Sequence, residues 1–375
     1  MILSLKEAIK HSLTNTTNFF GVVTTPWHIH GLLASIKYLK SQNVNLIGTI
    51  FITPHAVTGY CIKKDDIPYI EGINVITIDD RNISFLQRII KIFYSFLYIL
   101  RPHEDAKDKC AFYLVVPRVE NAYISEIVSK TLKNIEIIHC VYDEGVATYF
   151  PFSIESTNLK EKLLNLYLKH IVYGWGRKKI ESKCMVFNTQ LFLYRNGRLI
   201  PNQVIIPFYV HEIRNSISCV SKNNICFAKK CILICTTAWR RKEIVDSEDV
   251  RLIKSIKTEF EKNGYSVIFK PHPRDLNFCA LYGDVEIMPV GKISLESVLL
   301  NSTIRPHAVI SISSTTLVTS KLLAGIPSFD VSQMLNINKI GTYKDEVYSF
   351  RKVFGSYIAS PTSIIELLNN INAIS

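Results

Sequence analysis

Residues 18–24, NFFGVVT, form a continuous apolar run that is followed by Pro26 and by a helical pattern over residues 30–41. Further apolar runs or helical patterns follow at residues 45–53, 74–79, 111–116, 121–133 and 135–142. Continuous apolar strands that alternate with helices are typical of a parallel sheet covered on both faces. The first half of the chain is therefore predicted to be a doubly wound α/β domain.

A second α/β series follows a polar stretch at residues 215–230. Its predicted strands and helices cover, in chain order, residues 231–235, 247–263, 265–270, 308–312, 315–324 and 361–374. Gly264 and Gly325 stand where they would end helices, and Ser360 stands where it would cap the last one. We predict two Rossmann-like domains, residues 1–215 and 228–375, with the last helix as a candidate for packing back on the first domain.

The chain of 375 residues carries 44 Lys and Arg against 32 Asp and Glu, a net charge of +12. This excess indicates an anionic partner, which could be nucleic acid, phospholipid or an acidic substrate. The sequence has no nucleic-acid-binding motif, so we expect no nucleic-acid partner.

None of the nine cysteines forms a C-x-x-C pair, which disfavours a zinc site or a disulfide framework and favours a reducing cytoplasm. Residues 86–100 are strongly apolar but contain Arg88 and Lys91, and they are too short to span a bilayer. They are either a buried helix or a basic, aromatic-rich helix on the cytoplasmic face of the inner membrane. The prediction is a cytoplasmic protein, with peripheral membrane association as an open alternative.

An acidic pair follows the fifth predicted strand, in Tyr142-Asp143-Glu144-Gly145. A carboxylate at the carboxyl end of a strand can act as a general base if partial burial raises its pKa. A solvated acidic turn is the alternative interpretation.

A histidine between two prolines follows a strand of the second domain, in Lys270-Pro271-His272-Pro273-Arg274. The prolines fix the backbone around His272, and cations flank it, an arrangement that suits a phosphate. A turn without a function is the alternative.

Hydroxyl residues crowd the strand-to-helix junction at Ser311-Ile312-Ser313-Ser314-Thr315-Thr316. Hydroxyls and unpaired backbone N–H groups at a helix N-terminus can bind an anion. Helix capping alone is the alternative, although it requires only one such residue.

The order of these three motifs resembles that of bacterial sialyltransferases, which carry D/E-D/E-G, HP and SS motifs and include lipooligosaccharide sialyltransferases and capsular polysialyltransferases. The segment Ile293-Ser294-Leu295-Glu296, between the HP and SS motifs, is similar to the family segment whose glutamate holds the nucleotide ribose. The resemblance implies a GT-B glycosyltransferase architecture, in which two Rossmann-like domains face a central cleft.

Carried over by position, the resemblance implies that Glu144 is the general base, that Asp143 supports it and that His272 assists departure of the donor phosphate. It implies the following donor-binding residues: Lys270, Pro273, Glu296, Ser313, Ser314, Thr315, Thr236 and Thr237. Trp27 and His28 follow the first strand and Asn121 follows the fourth, where they are candidates for binding the acceptor; a core tryptophan is the alternative for Trp27.

The implied reaction is an inverting, metal-independent transfer of sialic acid from CMP-sialic acid to a glycan hydroxyl, with no cofactor, in lipopolysaccharide or capsule synthesis. The acceptor could be an oligosaccharide or a lipid-linked glycan. The main alternatives are a CDP-glycerol- or ribitol-type polyol-phosphate transferase of wall-polymer synthesis and a capsular polysialyltransferase. A nucleotide-sugar epimerase and a non-catalytic carbohydrate-binding protein are further alternatives.

Overall fold

The computed structural model of the chain describes the following residues: 5–53, 62–78, 109–117, 122–143, 194–195, 200–216, 227–237, 248–272, 278–288, 294–336 and 344–374. The chain divides into two compact units between Glu212 and Ile213. This division falls inside a helix, Ile206–Asn215, whereas the predicted boundary lay between residues 215 and 228.

The first unit contains a parallel sheet of five strands in the order β3-β2-β1-β4-β5. The strands are β1 (Phe19–Val23), β2 (Gly48–Ile52), β3 (Ile73–Thr77), β4 (Cys110–Val116) and β5 (Ile135–Val141). Its helices are α1 (Leu5–Ser12), α2 (Pro26–Ser41), α3 (Ala122–Thr131) and α4 (Ile206–Asn215), the last of which runs past the division. Two short strands, β6 (Tyr194–Arg195) and β7 (Ile200–Pro201), pair with each other as an antiparallel ribbon.

Strand β1 is buried along its whole length because helices and loops cover both faces of the sheet. Phe20 packs edge-on against Phe51 of β2 and Phe112 of β4, with ring centroids 5.0 and 5.2 Å apart. The strand order of the first sheet reverses between β1 and β4. The carboxyl ends of these two strands therefore form the topological switch point at which such sheets bind ligands.

The second unit contains a parallel sheet of four strands in the order β11-β10-β8-β9. The strands are β8 (Cys231–Cys235), β9 (Ser266–Lys270), β10 (Ala308–Ser311) and β11 (Ser328–Asp330). Its helices are α5 (Glu248–Lys262), α6 (Phe278–Tyr282), α7 (Leu295–Asn301), α8 (Thr315–Ala324), α9 (Lys344–Phe354) and α10 (Ile364–Asn372). The switch point of this sheet lies between β8 and β10.

The predicted α/β class with two Rossmann-like units is confirmed, since both sheets are parallel and both contain a reversal of strand order. The predicted helix over residues 315–324 has the bounds of α8, which Gly325 ends in the left-handed conformation with a φ of 67°. The C-terminal helix packs in the core of the second unit through Leu367 and Ile371.

The predicted starts of two helices were wrong. Helix α2 begins at Pro26 rather than at residue 30, because Thr25 caps it and proline fits its first turn. Helix α10 begins at Ile364, and Ser363 rather than Ser360 is its cap. The Ser363 hydroxyl accepts the Glu366 N–H at 3.1 Å, and the Glu366 carboxylate accepts the Thr362 N–H at 2.8 Å. Helix α4 covers residues for which no helix was predicted.

Candidate functional site

In the first unit, the loop after β1 turns directly into α2 and places two predicted acceptor-binding residues in the first helical turn. The Thr25 hydroxyl caps the helix by accepting the backbone N–H of His28 at 3.4 Å. Trp27 is half-buried and His28 is buried. Both side chains therefore lie at the carboxyl end of the sheet, beside its switch point.

The backbone of Asp143, just beyond β5, is held by two aromatic side chains. The indole N–H of Trp27 donates to the Asp143 carbonyl at 3.1 Å, and the Asp143 N–H donates to the Tyr209 hydroxyl at 3.1 Å. The two aromatic rings lie 5.9 Å apart, and Asp143 is only 2% exposed. Burial raises the pKa of Tyr209 well above its ordinary value, so its hydroxyl stays protonated. Trp27 and Tyr209 thus fix the backbone from which Glu144 continues.

Tyr142 packs at the same carboxyl end of the first sheet. Its hydroxyl donates to the Val22 carbonyl at 2.7 Å, and its ring lies 5.8 Å from that of His28. A Cβ on Gly31 would lie 2.4 Å from the Tyr142 ring, so only glycine allows this close approach of helix and ring. The His28 Nδ1 accepts the Thr24 N–H at 3.3 Å, and the neutral ring would therefore carry its proton on Nε2.

In the second unit, the histidine-proline segment is tied to the end of β8. The Thr236 N–H donates to the Lys270 carbonyl at 3.1 Å, and the His272 N–H donates to the Thr236 hydroxyl at 3.0 Å. Thr236 is 4% exposed, whereas Lys270 and His272 are half-buried. The backbone of His272 is therefore fixed by a buried neighbour, and the residue itself keeps some access to solvent.

The serine-rich junction lies between β10 and α8, at the switch point. The Ser311 hydroxyl donates to the Cys235 carbonyl at 2.7 Å, which joins the ends of β10 and β8. Ser314 caps α8 by accepting the Thr316 N–H at 3.3 Å. Ser313 has a φ of 46°, and its buried hydroxyl has no hydrogen-bond partner among the described residues. A buried, unpaired hydroxyl at a helix N-terminus is available to a ligand anion.

Glu296 lies in the first turn of α7 and is 8% exposed. Its Oε1 accepts the Thr319 hydroxyl at 2.7 Å, which ties it to α8. Burial raises the pKa of the nearby Cys235 thiol to about 11; Lys270 and a hydrogen bond with Thr316 lower it and Glu296 raises it by smaller amounts. Lys270 lies opposite Cys235 in the pairing of β9 with β8, so its side chain belongs to the same end of the sheet.

The structure thus brings together most predicted donor-binding residues at one edge of the second sheet. They are Thr236, Thr237, Lys270, His272, Glu296, Ser313, Ser314 and Thr315. Glu144, Pro273 and Asn121 lie outside the described residues, as does the apolar segment 86–100.

The sequence interpretation did not single out Tyr209 or Asp330. The proline in the first turn of α4 and the apolar spacing of Ile206, Tyr209 and Ile213 could have indicated the helix that carries Tyr209. No local pattern indicates the contact between Tyr209 and Asp143, which lie 66 residues apart in the chain.

Within the described ranges, no three His, Cys, Asp or Glu side chains are grouped so that they could hold a metal ion. In the same part of the chain, no helix has the length and apolar character needed to cross a membrane.

Several solved structures are similar over nearly the whole chain. A protein from Listeria monocytogenes assigned as a UDP-N-acetylglucosamine 2-epimerase has a TM-score of 0.48 and 9% identity, covering 95% of this chain and 87% of its own. A sialyltransferase from Photobacterium damsela has a TM-score of 0.43 and 13% identity, covering 90% and 79%. The wall teichoic acid polymerase TagF has a TM-score of 0.44 and 13% identity, covering 96% and 81%. Likenesses this distant do not choose among the three chemistries, and no curated protein matches the sequence.

A family match decides the class. The family model of the alpha-2,8-polysialyltransferases matches residues 19–333, which is most of the chain and includes all three motifs. The protein is accordingly a glycosyltransferase of the sialyltransferase class, as the motifs predicted. It belongs to the alpha-2,8-polysialyltransferase family.

Proposed function

We propose that the protein transfers sialic acid from CMP-sialic acid to a hydroxyl of a glycan acceptor, with inversion, in lipopolysaccharide or capsule synthesis. The proposal is carried by one observation. The residues that the sialyltransferase resemblance assigns to the donor gather at the β8/β10 switch point, where parallel sheets of this order bind nucleotides.

The donor phosphate has a suitable place at the N-terminus of α8. The unpaired Ser313 hydroxyl and the N-terminal N–H groups of the helix can donate hydrogen bonds to phosphate oxygens. Lys270 supplies a positive charge at the same edge, and His272 extends from the neighbouring strand. In this proposal these groups bind the CMP phosphate without a metal ion and stabilise it as it leaves.

Glu296 suits the nucleotide ribose. A buried carboxylate is a strong acceptor for vicinal hydroxyl groups, and its contact with Thr319 fixes it beside the start of the same helix. The proposed ribose and phosphate contacts therefore come from α7 and α8, which pack against each other.

The proposed reaction needs a base in addition to the donor site. As the bond between the sialyl anomeric carbon and the phosphate oxygen breaks, CMP takes the electron pair, and the acceptor oxygen forms the new bond from the opposite side. Glu144 would accept the hydroxyl proton, while His272 hydrogen-bonds the departing phosphate. The buried, hydrogen-bonded backbone of Asp143 supports this assignment because it fixes the position from which Glu144 extends.

We further propose that the acceptor is itself a sialylated glycan and that the product is a polysialic acid chain. The family description and the net charge of +12 both favour a polyanionic product. Synthesis on the cytoplasmic face of the inner membrane, with peripheral association of the enzyme, fits the same charge.

A comparison of donors, each supplied separately, tests the proposed function. The purified full chain is incubated with CMP-sialic acid, CDP-glycerol or a UDP-sugar, each with lactose-type and sialylated acceptors, and products are analysed by mass spectrometry. We expect release of CMP and addition of sialyl units, with the sialylated acceptor preferred. Consumption of CDP-glycerol in place of CMP-sialic acid would indicate a polyol-phosphate transferase, and conversion of the UDP-sugar without acceptor would indicate an epimerase.

A further inference from the structure

One residue of the serine-rich junction, Ser313, has an unusual backbone conformation. Ser313 has a φ of 46°, in the left-handed region that residues other than glycine rarely adopt. The other non-glycine residues with positive φ among the described ones are Asn43 and Asn134, and asparagine tolerates this region well. Ser313 has no such local advantage, so its conformation must be stabilised by its surroundings.

The stabilising contact comes from Asp330, the last residue of β11. Its Oδ1 accepts the Ser313 N–H at 2.9 Å, and β11 pairs with β10 so that Asp330 lies opposite Ser311. The pairing of β11 with β10 therefore fixes the position of the carboxylate. Its strand partner, Ser311, lies two residues before Ser313 in the chain. A substitution that removes the Asp330 oxygens would leave the Ser313 N–H without this acceptor and would leave the side chains of Ser313 and Ser314 unchanged.

Asp330 is in turn fixed by a buried network. Its Oδ1 also accepts the Ser332 N–H at 3.1 Å, and its Oδ2 accepts the Ser332 hydroxyl at 2.6 Å. The Arg351 Nε–H donates to that same hydroxyl at 3.0 Å. Asp330 is 0% exposed, and a buried carboxylate is tolerated only when hydrogen bonds and a countercharge compensate it. Capping the short turn Val331–Met334 would need only the Ser332 contact, so the bond to Ser313 is an additional one.

We propose that Asp330 is a positioning residue that holds Ser313 in its left-handed conformation and so directs the Ser313–Ser314 junction toward the donor phosphate. Burial raises the pKa of Asp330, while its hydrogen bonds with Ser332 and Ser313 and the charge of Arg351 lower it by smaller amounts. The part of the inference that concerns phosphate rests on the proposed function, whereas the part that concerns the conformation of the junction does not.

Asp330→Ala tests both parts, since it removes both carboxylate oxygens and leaves the Ser313 N–H without its acceptor, whereas asparagine would keep an acceptor oxygen at the same place. Ile371→Val is the control because it alters the buried core of the same unit and leaves Asp330 intact. In the free protein, hydrogen–deuterium exchange of the peptide covering Ser313 should be faster in Asp330→Ala and unchanged in Ile371→Val. The affinity for CMP, measured by calorimetry, should fall about tenfold in Asp330→Ala only.

If Asp330→Ala does not fold, Ser332→Ala provides the second variant. It removes one contact of the carboxylate and should change exchange and CMP affinity in the same direction by a smaller factor. Unchanged exchange at Ser313, or equal loss of CMP affinity in the control, would overturn the positioning role. If wild-type protein did not bind CMP, the proposed donor would be wrong, and the exchange measurement would still decide the role of Asp330.

Discussion

Replacing Trp27 with phenylalanine separates two roles that the side chain could have. The sequence predicted that Trp27 contacts an acceptor sugar, whereas the structure has its indole N–H donating to the carbonyl of Asp143 at 3.1 Å. Phenylalanine keeps an aromatic face for a sugar but cannot donate this hydrogen bond. If Trp27 acts mainly by fixing the backbone that leads into Glu144, the substitution should affect turnover more than acceptor binding.

The magnitude follows from the single contact that is lost. Depriving a buried carbonyl of a donor costs about 1–3 kcal/mol, and about 1.4 kcal/mol in the transition state corresponds to a tenfold change in rate. We therefore expect kcat to fall roughly tenfold in Trp27→Phe, with little change in the KM for acceptor, in a steady-state assay of CMP release.

Tyr209→Phe is the matched companion variant because it removes the acceptor of the Asp143 N–H on the other side of the same backbone. It should lower kcat by a similar factor, although Tyr209 offers no exposed face to a sugar, being fully buried. A Trp27→Phe enzyme with wild-type kcat and a raised acceptor KM would refute the backbone role and favour sugar binding.

Two further predictions concern His272 and the stability of the fold. Thr236→Val removes the acceptor of the His272 N–H and should lower kcat/KM about tenfold, whereas Thr236→Ser should stay near wild type; equal activity of the two would contradict the contact. Burial lowers the pKa of His30 and of His139 from 6.5 to about 4, so the unfolded chain binds more protons across that interval. The free energy of unfolding should therefore fall as pH drops below 6.5, by about 2 kcal/mol per histidine at pH 5, in urea titrations. A profile that is flat from pH 7 to pH 5 would argue against two buried neutral imidazoles.

The sheets were predictable because their strands carry strong local signals. The runs NFFGVVT and CILIC are apolar throughout, as strands covered on both faces must be, and they become β1 and β8. Helix α8 was also predictable from local signals, because a hydroxyl residue caps its start and Gly325 follows its end.

Helix termini were less predictable where several residues could act as the cap. Ser360 and Ser363 both precede the last helix, and the choice of Ser363 depends on its reciprocal contacts with the segment around Glu366. Thr25 likewise begins α2 before the apolar spacing becomes regular.

The motif residues could be found from sequence, but the residues that hold them could not. Tyr209 and Asp330 act through hydrogen bonds to Asp143 and Ser313 that join distant parts of the chain. Such contacts arise only when the strands are assembled, and neither residue belongs to a pattern that marks it in advance. Sequence reasoning therefore singled out the motif residues and missed the buried residues that hydrogen-bond to their backbone.

The most direct test of the donor site is the turnover of CMP-sialic acid by His272→Ala beside the wild-type enzyme. The main-chain N–H that binds Thr236 is retained in this variant, so its circular dichroism and unfolding midpoint should match those of the wild type. We expect CMP release to fall by about 10²-fold or more, as for loss of a group that stabilises a leaving phosphate. Near-wild-type turnover by the folded variant would contradict the account.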